Sequence, residues 1–318
     1  MTDRRACQVS FRTPCPFQIP CHSELMSFWS RCHSELVSES PVKSYTTNMT
    51  HPEYQYLKLM ADIMKEGKSK PSRGIHNLKA IFGYQIRFDL RYGFPLMTTK
   101  KMPYKLLLHE LFWFISGSSK VDYLHEHNIR YWDGFLHEGS NDLGRIYGVQ
   151  WRHWRRPDGT EFDQLQWAID EIKNNPNSKA ILVSGWNAGE LDEMRLPPCH
   201  TMFQFDVTQG KLRLQLYQRS SDVFLGLPFN VAQYAMLLKM VAHLTGLEAR
   251  ELIVSIGSAH LYRNHLEPAK EQLRRKPYKF PQLKIVGDVE NIDDFKEENF
   301  VLEGYEAHPR IKTDLTIL

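Results

Sequence analysis

The chain has 318 residues, of which 42% are hydrophobic and 24% are charged, with a formal net charge of +3. This is the composition of a globular protein that is large enough to bury a sizeable core. A net charge this small does not by itself indicate a nucleic-acid or membrane partner, and we expect neither. No apolar run approaches the roughly 20 residues that a membrane helix needs. Residues 1–20 lack the continuous apolar segment of a secretory signal.

Residues 1–48 differ in composition from the rest of the chain. They are rich in Ser, Thr, Pro, Cys and Arg, show no helical or strand period, and repeat CHSEL at 21–25 and 32–36. A polar segment with a short direct repeat is typical of low-complexity sequence. We therefore predict a disordered, dispensable extension over 1–48 and a globular domain over 49–318.

Cysteines are concentrated in that extension: Cys199 is the only one of the 5 that lies beyond residue 32. A disulfide framework would be spread through the fold, so this distribution predicts a reducing, cytoplasmic location. A metal site is the alternative use, with the candidate ligands Cys21, His22, Cys32 and His33. Adjacent Cys-His pairs do not easily face one metal ion, and paired Cys-x-x-Cys spacing is absent, so we expect no metal.

From Met49 onward the spacing of apolar residues predicts regular elements. Helices are predicted over 53–67, 103–117, 162–175 and 228–246. Strands are predicted over 81–90, 179–186, 201–207 and 211–220, the last two forming a hairpin around Gln209 and Gly210. Neither a Gly-rich phosphate loop nor regular βαβ alternation is present, so we predict an α+β fold.

Cys199 is the first candidate for chemistry, in the stretch LPPCHTMFQF at 196–205. A cysteine thiol with a pKa of about 8.5 needs a nearby positive charge to ionise at neutral pH. In the strand KLRLQLYQRS, Arg219 lies on the face opposite to the leucines. Pairing of this strand with the one after Cys199 can bring Arg219 close to the thiol. The alternative is that Cys199 is a small buried hydrophobe.

Glu110 is the second candidate, because it lies inside the apolar run LLLHELFWFI. Burial disfavours the ionised carboxylate and raises its pKa toward neutrality, which suits a proton donor or acceptor. We favour burial over an exposed stripe of the helix, because the apolar run leaves little room for such a stripe.

Further polar residues cluster in RSSDVFLGLPFN and SAHLYRNH. Arg219 can pair with an anionic oxygen, and the serines after it add hydroxyl donors. Asn230 offers a donor and an acceptor and can read an amide-like ring edge, or it is only a helix cap. His260 and Tyr262 share one face of a strand, where they either bind a sugar hydroxyl or are simply half-buried.

Taken in order, these stretches resemble the thymidylate synthase family from about Tyr54 to Leu318. The matching strings are FPLMTTKK, HELFWFISG, YLHEHNIRYWD, GRIYGVQWR, SGWNAGELDEMRLPPCHTMFQF, QLYQRSSDVFLGLPFN, HLYRNH and EGYEAHPRIK. So many strings at family spacing make chance resemblance implausible. The resemblance implies an α+β fold in which a mixed sheet packs with helices, and a homodimer whose sheets pack back to back.

The resemblance also implies a reaction. Deoxyuridine monophosphate receives a one-carbon unit at C5 from methylenetetrahydrofolate, which then supplies a hydride and leaves as dihydrofolate. C5 of uracil is a poor nucleophile, and a thiolate that adds at C6 turns the ring into an enolate. No metal is implied.

By position, the resemblance assigns roles to residues of this chain. Cys199 matches the nucleophile, Glu110 the carboxylate that organises proton transfers, and Tyr147 the tyrosine associated with removal of the C5 proton. The nucleotide contacts fall on Arg73, His200, Gln218, Arg219, Ser220, Asn230, His260 and Tyr262. The folate contacts fall on Trp132, Asp222 and the C-terminal Leu318, whose tail is expected to close over the ligands.

Two positions depart from the family pattern. Lys179 and Ala180 replace adjacent arginines that hold the nucleotide phosphate of the other subunit. Lysine keeps the charge but loses the bidentate fork, and alanine loses both. The loop that begins with a phosphate-binding arginine reads SRGIHN, which keeps Arg73 without its usual Thr-Gly neighbours. We expect weaker nucleotide binding with the chemistry intact.

Three other functions are compatible with parts of the pattern. A pyrimidine hydroxymethylase on the same fold would transfer the carbon without the hydride, but Asn230 favours uracil over cytosine and the intact tail favours a closed site. A catalytically silent protein that binds nucleotide or RNA is opposed by the intact Cys199, Glu110 and Tyr147, and by the absence of a basic stripe. If the chain were a structural protein with a buried cysteine, every matched string would be a chance resemblance.

Overall fold

The computed structural model describes residues 51–72 and 77–313, so the predicted extension, Arg73 and Leu318 lie outside the described residues. The main sheet consists of β1 (Lys68–Lys70), β2 (Leu78–Asp89), β5 (Leu182–Ser184), β6 (His200–Thr208), β7 (Lys211–Asp222) and β8 (Glu248–Tyr262). These strands lie in the order β1-β2-β8-β7-β6-β5. Two small sheets pair β3 (Trp154–Arg155) with β4 (Glu161–Phe162), and β9 (Gln282–Ile285) with β10 (Phe300–Glu303).

The helices of the described ranges pack around this sheet. They are α1 (Tyr54–Glu66), α2 (Tyr104–Ile115), α3 (Asp122–Glu126), α4 (Gly148–Arg152), α5 (Gln164–Asn174), α6 (Gly226–Thr245) and α7 (Leu266–Leu273). α1 and α5 each bury one apolar face, as their 3.6-residue spacing predicts, whereas α6 is buried on almost every side. None of these helices is both long enough and apolar enough to cross a membrane.

The mixed character of the sheet follows from the position of α6. β7 and β8 pair in parallel, and every other pair of neighbouring strands in this sheet is antiparallel. Parallel neighbours need a crossover connection, and α6 provides it. Leu212, Leu214 and Leu216 alternate along β7 with 0% exposure, so the strict alternation in the sequence marks the core face of the sheet. The α+β prediction is therefore confirmed.

The predicted elements match the observed ones with small shifts of their boundaries. The β6–β7 hairpin turns at Gln209 and Gly210, which both have left-handed backbones with φ of 53° and 72°. The long helix begins earlier than predicted, at Gly226, and its N-cap is Leu225. Asn230 therefore lies inside the helix, and the alternative that it is only a cap is wrong.

Glu53, just before α1, ties this helix to the segment that leads into α2. Its carboxylate is 0% exposed. It accepts hydrogen bonds from the backbone and hydroxyl groups of both Thr98 and Thr99, at 2.5–2.9 Å. A buried carboxylate that receives this many hydrogen bonds is fully compensated for the loss of water.

We expect Glu53→Gln to lower the free energy of unfolding by about 2–4 kcal/mol, because a buried amide NH2 would then face N–H and O–H donors. The measurement is a urea titration followed by circular dichroism. Glu66→Gln is the matched control at the exposed end of the same helix, where we expect a change within about 0.5 kcal/mol. Equal stability of the two variants would contradict this account.

Candidate active site

The predicted catalytic residues come together where β6 begins and β7 ends. His200 pairs in register with Gln218, and Asp222 pairs with His260 on β8. The chain then turns directly into α6, whose first turns carry Asn230 over the same region. Strand pairing thus brings together residues that lie far apart in sequence.

Cys199 lies immediately before β6 and is only partly exposed. The backbone N–H of Arg219 donates to the Cys199 carbonyl oxygen at 2.9 Å. The Arg219 guanidinium donates to the carbonyls of Pro197 and Pro198 at 2.5 and 2.9 Å, which holds it beside the thiol. Burial raises the pKa of the Cys199 thiol, and the charge of Arg219 opposes this. The predicted proximity of Arg219 to Cys199 is confirmed.

Tyr147 also contacts the cysteine. Its hydroxyl oxygen accepts a hydrogen bond from the Cys199 backbone N–H at 3.1 Å. The Tyr147 backbone has φ of 38°, which is rare for a residue with a side chain. The next residue, Gly148, lies so close to the Phe114 carbonyl that a Cβ would approach its oxygen to 1.9 Å. This close approach requires glycine at 148 and accompanies the unusual backbone of Tyr147.

Glu110 projects from α2 and is 5% exposed, so the alternative of an exposed stripe is wrong. Trp132 Nε1 donates to Glu110 Oε1 at 2.7 Å, and Gln233 Nε2 donates to Glu110 Oε2 at 2.6 Å. Burial raises the pKa of this carboxyl, and hydrogen bonds from its neighbours oppose the rise. A buried carboxyl whose pKa is raised and which has two donors fits a group that exchanges protons during a reaction.

A set of amides and one imidazole lies between the cysteine and α6. Gln218 Nε2 donates to Asn230 Oδ1 at 2.8 Å, and both side chains are buried. Burial lowers the pKa of His200 to about 4, which a hydrogen bond with Asn230 partly opposes. His200 is therefore neutral at physiological pH. No group among the described residues bonds to His200 Nδ1 or Gln218 Oε1, so these atoms can face a polar ligand.

The other end of the cluster is formed by Asp222, His260 and Tyr262. Asp222 Oδ1 accepts hydrogen bonds from the backbone N–H groups of Phe224 and Leu225 at 3.0 and 3.2 Å. The rings of His260 and Tyr262 lie 5.0 Å apart, on the shared strand face that the sequence predicts. Burial lowers the pKa of His260, so this imidazole is also neutral at physiological pH.

Other predicted site residues lie at the edges of this cluster. Ser220 is half-buried on β7 beside Ser258 of β8. Trp132 packs against Tyr147, with ring centroids 5.7 Å apart. Lys179 and Ala180 are exposed, and the Lys179 carbonyl accepts a hydrogen bond from Gln204 in the middle of β6. The structure therefore does not bring Lys179 to Cys199 of the same chain.

Two buried residues of the site were missed by the sequence analysis. Gln233 could have been noticed as an amide within the apolar run of α6, by the same argument that selected Glu110. Lys100 lies 3.9 Å from the centre of the Phe224 ring, and burial lowers its pKa to about 7. Lys100 stands in the string FPLMTTKK, which carries no pattern that predicts its burial. No group of three or more potential metal ligands is found among the described residues.

A family model described as thymidylate synthase matches residues 54–317, which is most of the chain. This range holds every residue of the cluster described above. The chain therefore belongs to the thymidylate synthase family, the methyltransferases that convert deoxyuridine monophosphate to thymidine monophosphate with methylenetetrahydrofolate.

Proposed function

We propose that this chain performs the family reaction through a covalent bond between Cys199 Sγ and C6 of the uracil ring. The observation that carries this proposal is the contact of Cys199 with both Arg219 and Tyr147, next to the neutral imidazole of His200. Methylenetetrahydrofolate supplies both the one-carbon unit and the hydride. The protein residues bind, orient and exchange protons.

The first step is addition of the Cys199 thiolate at C6. Positive charge on Arg219 favours the thiolate over the thiol, in opposition to the effect of burial. As C6 forms its bond to sulfur, electron density moves to C5 and to the carbonyl oxygen, and C5 becomes nucleophilic. Asn230, held by Gln218, is proposed to present its side-chain N–H group to the uracil edge and to disfavour cytosine.

Removal of the C5 proton follows transfer of the carbon to C5. We assign the acceptance of this proton to the site around the Tyr147 hydroxyl, with Glu110 organising the proton transfers on the other side of the ring. Loss of that proton would break the bond between the transferred carbon and the folate nitrogen. The hydride would then convert this carbon to a methyl group, and C6 would release Cys199 as the thiolate. His260 and Tyr262 are proposed to bind the sugar hydroxyl, and Ser220 and Arg73 the phosphate.

The folate is proposed to lie on the side of Trp132 and Asp222, under a tail that ends at Leu318. Asp222 is partly exposed. Burial raises the pKa of its carboxyl, but the hydrogen bond and charge of His265, together with His260 and the Leu225 backbone, lower it overall. It is therefore an ionised acceptor at neutral pH, suited to N–H groups of a pterin ring.

The covalent step has a direct test. A nucleotide with fluorine in place of the C5 hydrogen has no proton to lose, so we expect the reaction to stop at the adduct. Peptide mass spectrometry should find the nucleotide and the folate on Cys199. Non-covalent binding alone, with Cys199 unmodified, would contradict the proposed mechanism.

We further propose a homodimer in which the main sheets pack back to back, in the cytoplasm. The support is the set of exposed apolar side chains on three strands of the main sheet, where Phe82, Met202 and Tyr217 are 79%, 42% and 37% exposed. Apolar side chains of this size are usually covered by a partner. In such a dimer, Lys179 would bind the nucleotide phosphate in the active site of the other subunit. We also propose that residues 1–48 are dispensable for activity.

We expect Ala180→Arg to tighten binding of deoxyuridine monophosphate about 10- to 100-fold, because it restores a charge-assisted hydrogen bond to phosphate. Isothermal titration calorimetry gives the affinity. Asn174→Arg is the matched control, since it adds the same charge at the exposed end of α5. If both variants bind as the parent chain does, position 180 does not serve the phosphate.

A further inference from the structure

Gln233 is an amide in the middle of an apolar helix, and it is 1% exposed. It follows Asn230 by three positions on α6, so the two side chains lie on the same helix face. Burying an amide without a partner is unfavourable. Gln233 has two acceptors on α2: its Nε2 donates to Glu110 Oε2 at 2.6 Å and to the Leu107 carbonyl oxygen at 3.4 Å.

The two oxygens of Glu110 have separate donors. Trp132 donates a hydrogen bond to Oε1, and Gln233 donates one to Oε2. The Tyr131 hydroxyl, which is also buried, lies near this carboxyl and opposes the rise of its pKa. None of the groups that shift this pKa is a charged side chain of the described residues. The ionised form of Glu110 therefore depends on neutral donors alone.

The orientation of the Gln233 amide follows from the same contacts. A flipped amide would place Oε1 at 2.6 Å from a carboxylate oxygen, which is repulsive for an ionised Glu110. In the observed orientation, Oε1 has no donor among the described residues. The Gln233 Oε1 atom therefore lacks a hydrogen bond among the described residues, while Nε2 donates one to Glu110.

We propose that Gln233 is a positioning residue for the methyl transfer: its amide holds the Glu110 carboxylate beside Trp132 in the ionised state that can accept a proton. This inference rests on the proposed role of Glu110 in proton transfer. Gln233 acts only through Glu110 and is assigned no contact with the reacting atoms.

The test is the pH dependence of kcat in Gln233→Met, which keeps the length of the side chain and removes the donor. We expect the acidic limb of the profile to move to higher pH by about one unit or more, because a hydrogen bond to a charged group is lost. Gln164→Met is the matched control. Gln164 is a buried amide that donates to the carbonyls of Gln150 and Ser184, and its loss should leave the limb in place.

A titration of the ligand-free protein provides a readout that does not depend on turnover. Isotope-edited infrared spectra of glutamate-labelled protein, compared with those of Glu110→Gln, isolate the Glu110 carboxyl. Its midpoint should rise in Gln233→Met and also in Gln233→Ser, which is shorter and leaves room in the helix interface. An unchanged midpoint in a folded Gln233 variant would overturn the inference.

Glu110→Gln separates this inference from the proposed function. Turnover of Glu110→Gln at the rate of the parent chain would refute the role of Glu110 itself. Reduced turnover of Glu110→Gln, together with a parent-like midpoint in the Gln233 variants, would refute only the role of Gln233.

Discussion

Replacing Cys199 with serine is expected to lower kcat by roughly 10⁴-fold or more, because the variant loses the thiolate that makes C5 of the uracil ring nucleophilic in the proposed mechanism. A serine hydroxyl does not ionise near neutral pH, so it cannot replace the thiolate. For the thiol of the parent chain, the charge of Arg219 opposes the rise in pKa that burial causes. The measurement is the rate of thymidine monophosphate formation at saturating concentrations of both substrates.

Nucleotide binding provides the control for this variant. Gln218, Arg219 and Asn230 do not depend on the sulfur for their hydrogen bonds, so Cys199→Ser should still bind deoxyuridine monophosphate. A chain that starts at Met49 should turn over like the full chain, if residues 1–48 are dispensable. Turnover of Cys199→Ser within tenfold of the parent rate would contradict covalent catalysis.

Replacing Arg219 with glutamine is the second large change, and we expect it to move the alkylation of Cys199 to higher pH. The positive charge of Arg219 lowers the pKa of the thiol, so its removal raises that pKa by about 1–3 units. The thiolate is the reactive form and exists above the pKa. Reaction with iodoacetamide at pH 7 should therefore slow by about 10- to 1000-fold and recover at alkaline pH.

Arg213→Gln is the matched control for this measurement. Arg213 lies on the same strand, where its guanidinium donates to Asp206 on the surface. We expect its loss to leave the alkylation of Cys199 unchanged. Because the extension holds further cysteines, the modified residue is identified by peptide mass spectrometry. A parent-like pH profile in Arg219→Gln would show that Arg219 does not activate the thiol.

Much of the fold was predictable, because the spacing of apolar residues along the chain indicates which face of a helix or strand is buried. The alternation of leucines in β7 and the 3.6-residue period of α1 and α5 place these elements correctly. Glu110 was identifiable because a carboxylate is unusual within an apolar run. Gln233 was identifiable in the same way, because an amide is unusual within the apolar run of α6.

Features that depend on long-range contacts were not predictable from spacing. The unusual backbone of Tyr147 is seen only when α4 packs on the Phe114 carbonyl of α2. The burial of Lys100 depends on its approach to Phe224, 124 residues further along the chain. The position of Asn230 within α6, rather than at its cap, depends on where the chain leaves β7.

The most direct test of the account is to measure thymidine monophosphate and dihydrofolate together, starting from deoxyuridine monophosphate and methylenetetrahydrofolate. The account predicts that the full chain forms the two products in equal amounts, since one folate molecule provides both the carbon and the hydride. A hydroxymethylated nucleotide formed without dihydrofolate, or no turnover by a folded chain, would contradict it.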